Sequence, residues 1–428
     1  MQKKTILFIG FTWPEPASTA AGNRIVQLLH YFLERNYRVI FSSTASETPL
    51  SLNLEAIGVE KVNIALNDAS FDDLIKVLVP QIVIFDRFLT EEQFGWRVAA
   101  YAPSALRVLD TEDLHSLRVT RETLFKKNIP FTTEHWLTND TTKREIASIY
   151  RCDLSLIISS YEMYLLTDIL KIDAAQLLHL PFMLNAIEEN TFGTYPSYEE
   201  RKDFICIGNG KHAPNVDAIL WLKKEIWPRI KAKLPDANLH IYGAYLPQHV
   251  QQMDDPKQGF RIMGWAENAE KVLKKARVGL APLRFGAGIK GKLVDAMQAG
   301  TPTVTTSIGA EGMDLISIYP TTTQGVHQEH KYGWSGKIAN TADDFAKAAV
   351  SLYNKKEWQE AQLKAVALIN GIYDKRFLGQ KFDHTLTEIQ SNLQTHRNQN
   401  FIGSMVMHHS LASTKYMAKW IEAKNQNK

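Results

Sequence analysis

The sequence predicts an α/β protein of two doubly wound, Rossmann-like domains. Near-continuous apolar runs of strand length recur along the chain, at 5–10, 81–86, 106–110 and 154–159 among others, as parallel strands buried on both faces require. Helical patterns alternate with these runs, which implies a doubly wound sheet. From 183 to 202 the periodicity is lost and polar residues gather (Asn185, Glu188, Glu189, Asn190), and a second strand–helix series follows. The expected domains are therefore residues 1–185 and 186–402, with 403–428 as a terminal helix.

Size and composition fit that division. A chain of 428 residues allows two domains, each with its own core. Hydrophobic content of 45% and charged content of 22% are those of an ordinary globular protein. A net charge of +3 is too small to argue for nucleic acid, and it permits contact with an anionic membrane surface. Cys152 and Cys206 are the only cysteines; they have no metal-ligand spacing and suit a reducing cytosol. No apolar run approaches the roughly 18 residues that span a bilayer. The start, Lys3-Lys4 followed by Ile6 to Phe11, is short, holds Gly10 and runs into Trp13-Pro14, so it reads as a first core strand rather than a signal peptide. A cytoplasmic location is expected, with room for peripheral association at the inner face of the membrane.

In order, the strand from Thr5 to Gly10 is followed by a proline-containing loop and the small-residue turn Ala20-Ala21-Gly22-Asn23. Ile25, Leu28, Leu29 and Phe32 then mark an inward helix face, and Asn36 suits a left-handed stop. Arg38 to Ser42 is the next strand. After the strand at 106–110, polar groups crowd its carboxyl end: Thr111, Glu112, Asp113, His115 and Arg118. Such a segment serves either chemistry or a capped turn in which Arg118 pairs with an acid. In the second half, Phe204 to Gly208 is a strand, and Lys211-His212 sits on the loop after it, either solvated or near a phosphate. Asn215 to Ile230 is an amphipathic helix, and strands are expected at 238–243, 260–265, 278–282 and 303–306. Residues 316–337 form a polar, aromatic-containing loop, read as a lid or an irregular hairpin.

The chain's central stretch runs from Pro282 to Pro302. Gly286 and Gly288 fall where the backbone turns sharply or approaches something closely. Ile289, Leu293, Ala296 and Met297 recur at helical spacing, and Gly300 and Pro302 stop the helix. Lys292 and Asp295, three apart, share the opposite face. The free N–H groups of a helix N-terminus, surrounded by Arg284, Lys290 and Lys292, make an anion site suited to a phosphate or diphosphate. Ligands of open α/β sheets bind at this end of the strands.

This stretch resembles the nucleotide-sugar signature of retaining GT-B glycosyltransferases of the family 4 (group 1) type, whose pattern reads G-x-G-x-K-x-K-x-x-E-A-M-x-x-G-x-P. Gly286 to Thr305 follow it in register, and Gly309-Ala310-Glu311-Gly312 matches the later G-x-E-G. Two positions depart: Asp295 stands for the late Glu that meets the ribose hydroxyls, and Ala287 stands for the earlier Glu. The resemblance implies two domains facing a cleft, with the last helix crossing back onto the first domain. It implies sugar transfer, with retention, from a nucleotide-sugar donor to a glycan, lipid-linked or other hydroxyl acceptor, with no metal and no further cofactor. It places Arg284, Lys290 and Lys292 at the departing diphosphate, the 110–115 segment with Glu112 or His115 on the sugar, and Gly286, Ala287, Gly288, Ile289, Lys290, Lys292 and Asp295 on the donor. Gly22, Lys211, Trp265 and Glu311 join the donor side, with capping the competing role for Glu311. A catalytically degenerate binding partner and a nucleotide-sugar epimerase are the alternatives.

Overall fold

The computed structural model describes residues 3–313 and 333–426. The first sheet has seven strands: β1 (Thr5–Gly10), β2 (Arg38–Ser43), β3 (Glu60–Asn63), β4 (Ile82–Asp86), β5 (Leu106–Asp110), β6 (Leu154–Ile157) and β7 (Leu177–His179). Among the described residues the second has six: β8 (Lys202–Ile207), β9 (Leu239–Tyr242), β10 (Phe260–Gly264), β11 (Ala276–Ala281), β12 (Thr303–Thr305) and β13 (Gly336–Ile338). Their orders are 3-2-1-4-5-6-7 and 10-9-8-11-12-13, and neighbouring strands pair in parallel. Each order reverses direction beside its first strand, which is the doubly wound arrangement.

The expected strands all form; the central ones are buried on both faces, as in β1 and β4 where every residue is buried, while β9 and the edge strand β10 are buried only in part. Three strands lack such a run and escape sequence reading. β3, with the sequence Glu-Lys-Val-Asn, is an edge strand with no fully buried residue. β7 and β13 have three residues each and also close sheet edges. The polar loop expected at 316–337 lies outside the described residues up to 332, and Gly336 to Ile338 form β13.

The crossing back to the first domain begins well before residue 403. Helix Lys375–Ser391 already sets Leu378, Phe382, Leu386 and Ile389 into the core of the first sheet, beside Ile6, Phe8 and Phe32. Phe382 stacks on Tyr31 with ring centroids 4.8 Å apart, and Arg35 bonds Asp383. Helices Ala342–Leu352 and Lys355–Ile372, by contrast, pack on the second domain and its edge. Residues 183–202, where a linker is expected, hold the short helix Glu189–Phe192 and tie Leu184 to Tyr373 and Lys375 by backbone hydrogen bonds.

Candidate functional site

A cavity of about 880 Å³ lies between the two domains, at the carboxyl ends of both sheets. The second domain supplies the loop that leaves β11 and enters helix Gly291–Gln298. Gly288 has φ of 64°, and a Cβ there would stand 2.8 Å from that of Asp113 in the other domain. Gly291 opens the helix with equal economy: its Cβ would lie 2.6 Å from Ala20 Cβ. Glycine at these two positions therefore brings the helix N-terminus against the first domain.

Lys290, Lys292 and Asp295 line the cavity with Ala287 and Ile289. Lys290 is buried and donates to the carbonyls of Gly288 (2.6 Å) and Ala287 (3.3 Å), which fixes the loop's shape; burial lowers its pKa to about 8. Lys292 donates to Asn215 Oδ1 at 2.6 Å, and burial lowers its pKa as well. Burial pushes the Asp295 carboxyl up to about 7. A cation and a carboxyl thus stand one turn apart on a short helix whose positive dipole end faces the same space.

The first domain closes the other side with Glu112, Asp113, Arg87 and Arg118. Behind them, buried Asp110 at the end of β5 is held by Arg24 at 2.8 and 3.0 Å. Glu112 turns out of the strand with φ of 62°, and its Oε1 has no hydrogen-bond partner among the described residues. Burial first, then Asp110 and Asp86, push its carboxyl well above the usual range. Asp113 behaves oppositely: burial would raise it, yet Arg118 at 2.7 Å holds it below its ordinary value.

Several expected residues stand elsewhere. Arg284 turns away from the cavity, pairs with Asp217 at 2.6 and 2.9 Å and lies over the rings of Phe125 and Trp221, so it does not join the cationic wall. His115 opens helix His115–Lys126 but faces Phe88 and accepts from Arg118 at 2.7 Å, off the cavity wall. Lys211 lies over the Tyr245 ring at 3.7 Å, and its neighbour His212 reaches the cavity instead. Gly22 is packed against the backbone of Glu15, while Ala21 and Asn23 on either side line the cavity. Glu311 does not line the cavity; it stands at the C-cap of the short helix Ser307–Ala310, and its carboxylate pairs with Arg121 of the first domain at 2.6 and 2.9 Å. Trp265 does line it, and its ring N–H donates to Ala17 O at 3.3 Å across the domain gap. Gly286 and Gly288 line it too, but the Gly288 N–H is already given to Glu162 Oε1 at 2.8 Å.

Sequence reading misses Arg87, Asn215 and Arg121. Arg87 carried a signal, since it directly follows a buried strand at its carboxyl end, where ligands bind. Asn215 and Arg121 carried none.

Residues 201–355 match the family model for glycosyl transferases group 1. Comparison with curated proteins gives no match. Similar solved structures include the pneumococcal O-GlcNAc transferase GtfA in complex with UDP and GlcNAc, at 12% identity over 91% of this chain and 99% of that one, with a TM-score of 0.63. Sucrose-phosphate synthase from Thermosynechococcus elongatus gives 13%, 91% and 100%, with a TM-score of 0.62. TarM from S. aureus in complex with UDP gives 15% and a TM-score of 0.53 over 74% of this chain, which spans 58% of TarM's length. At such identities the likeness establishes the fold. The second domain thus resembles the group 1 glycosyl transferases over residues 201–355, and the two facing parallel-sheet domains share the GT-B fold of these structures.

Proposed function

We propose that this protein transfers a sugar from a nucleotide-sugar donor to a hydroxyl of a glycan, lipid-linked or other acceptor, with retention at the anomeric carbon. One observation carries the reading: Lys292 and Asp295 face the same cavity from one domain that Glu112 and Asp113 face from the other. In this reading the ribose hydroxyls donate to Asp295 and the diphosphate meets Lys292 and the helix N-terminus. The sugar lies between the glycine loop and Glu112. Breaking the sugar–phosphate bond puts negative charge on the leaving diphosphate, and a fixed cation with a helix dipole stabilises it without a metal. A Glu112 carboxyl pushed toward its protonated form can hydrogen-bond a sugar hydroxyl without placing a second negative charge beside that leaving group. Two free, buried cysteines suit a cytoplasmic setting.

The donors to try first are UDP-sugars, because similar structures hold UDP. Thermal-shift screening across nucleotide sugars should raise the melting temperature for the true donor. Sustained nucleotide release that collapses in Lys292→Ala supports transfer. A second reading, binding without turnover, draws on Arg284 and the Gly288 N–H being engaged elsewhere. A thermal shift with no nucleotide release would establish it, and an altered sugar released without acceptor would mark an epimerase.

A further inference from the structure

Helix Phe401–Gln426 has two different apolar sides. Its underside rests on the first domain: Ala418 is buried with Trp96, Met407 packs on the same pair, and Glu422 is ion-paired to Arg97. Asn400, just before the helix, donates to Tyr150 O at 2.8 Å. The other side carries Phe401, Ile402, Met405, Tyr416, Met417 and Trp420, with Phe401 72%, Tyr416 70% and Trp420 63% exposed. At roughly 100° per residue these six fall within one arc of roughly 160°. Large apolar side chains gathered on one exposed face mark an interaction surface.

Charge decides what covers it. Lys419 and Lys424 share the outward arc, Lys415 flanks it, and Lys424 Nζ sits 5.2 Å from the Trp420 ring. Glu422 is the one carboxylate in the helix sequence, and it is spent on Arg97 underneath. A second copy of the chain is the competing occupant, but a two-fold axis through this face would gather its three lysines with the three of the other copy and no outward carboxylate to offset them. An aromatic and aliphatic stripe rimmed by lysines, with no outward carboxylate, matches a surface that is apolar inside and anionic at its boundary. We propose that this face of the last helix docks the protein peripherally on an anionic lipid bilayer, with Tyr416, Met417 and Trp420 at headgroup depth and Lys415, Lys419 and Lys424 on lipid phosphates. The docking face is separate from the cavity and does not depend on the reaction assigned to it.

Flotation of the full chain with two vesicle types tests this: phosphatidylcholine alone, and phosphatidylcholine with about 30% phosphatidylglycerol. The protein is expected on the anionic vesicles, with binding that weakens as salt is raised. The Lys415→Gln/Lys419→Gln/Lys424→Gln variant is expected to bind on the order of a hundredfold more weakly. Tyr416→Ser/Trp420→Ser should also lose binding, and both variants should keep the wild-type melting temperature because the changed side chains are exposed, apart from a half-buried Lys415 that Gln replaces at similar size. Equal binding to both vesicle types, or no binding by the wild type at low salt, would overturn the proposal. So would a wild-type dimer in sedimentation that Tyr416→Ser/Trp420→Ser dissolves, because the second copy would then be the occupant.

Discussion

The Arg121 guanidinium reaches from the first domain to the Glu311 carboxylate of the second, at 2.6 and 2.9 Å, and the same side chain donates to Gly286 O at 2.9 Å. Both partners are largely shielded from water. One arginine therefore holds the glycine loop and the turn after β12 against the first domain. Removing either partner leaves a charge uncompensated in a shielded contact. Arg121→Met should open the cleft and misplace the loop, lowering turnover about 10- to 100-fold with a smaller change in donor affinity. Glu311→Arg with Arg121→Glu restores the ion pair but not the bond to the Gly286 carbonyl, so it should recover only part of the loss. Steady-state kinetics with small-angle scattering check this; wild-type compactness and turnover in Arg121→Met would remove the contact from the account.

Lys292 and Asn215 make a second cross-element pair, at 2.6 Å. A lysine ammonium is a point charge on a flexible stem, and the amide oxygen is what aims it. Lys292→Ala should cut nucleotide release by about a hundredfold or more, as loss of a preorganised charge-stabilising group does elsewhere. Lys292→Arg should not rescue it, since a planar fork cannot occupy the ammonium's place beside Gly208, where even a Cβ added to that glycine would stand 2.6 Å from Nζ. Asn215→Ala should cost less, about tenfold, because the charge remains but is no longer aimed. A Lys292→Ala enzyme with wild-type nucleotide release would end the assignment.

These pairs explain how much of the site could be read beforehand. The glycine loop and helix Gly291–Gln298 were legible because everything that makes them is contiguous: two glycines, lysines, helical apolar spacing and a stop. Arg284 stood in the same stretch, yet Asp217, 67 positions earlier, draws it off. Arg121 and Glu311 lie 190 positions apart, and no local pattern announces their meeting. His115 was one turn from the arginine that captures it, but sequence gives no ring orientation. The β-strands show the same division. Central strands declare themselves by burial on both faces, whereas β3, solvated at a sheet edge, reads like a loop.

Glu162 joins the domains from inside. Its Oε1 accepts from Leu114 N at 3.0 Å in the first domain and from Gly288 N at 2.8 Å in the second, while Oε2 is buried and unpartnered among the described residues. Burial raises this carboxyl to about 8, so at neutral pH Gln is a close mimic of the form present. Glu162→Gln should keep both acceptor contacts and change stability by no more than about 1 kcal/mol. Glu162→Ala orphans two buried N–H groups and should cost about 2–5 kcal/mol. The sign for pH follows from the raised value: the stabilisation is complete below the unfolded carboxyl's pKa and is lost as pH rises through about 8. Glu162→Gln should lack that alkaline loss. Melting curves against pH for the three proteins give the answer, and identical curves would deny Glu162 this role.

Nucleotide binding should itself depend on pH, because Asp295 and Lys290 titrate in the cavity in opposite senses. The folded Asp295 value, about 7, lies above an ordinary carboxyl, so in the free protein its stabilisation is complete below the unfolded value and is lost as pH rises through about 7. The folded Lys290 value, about 8, lies below an ordinary lysine, so its contribution is complete above the unfolded value and is lost as pH falls through about 8. A nucleotide reverses both preferences. Ribose hydroxyls want an ionised Asp295, favoured above about 7, and a diphosphate wants a charged Lys290, favoured below about 8. UDP affinity should therefore peak between these two values and fall on either side. Asp295→Asn should flatten the acid limb and leave the alkaline limb in place. Calorimetric titration of UDP from about pH 6 to about pH 9 reads both limbs. An acid limb that persists unchanged in Asp295→Asn would show that another group governs it and that the ribose does not rest on this carboxyl.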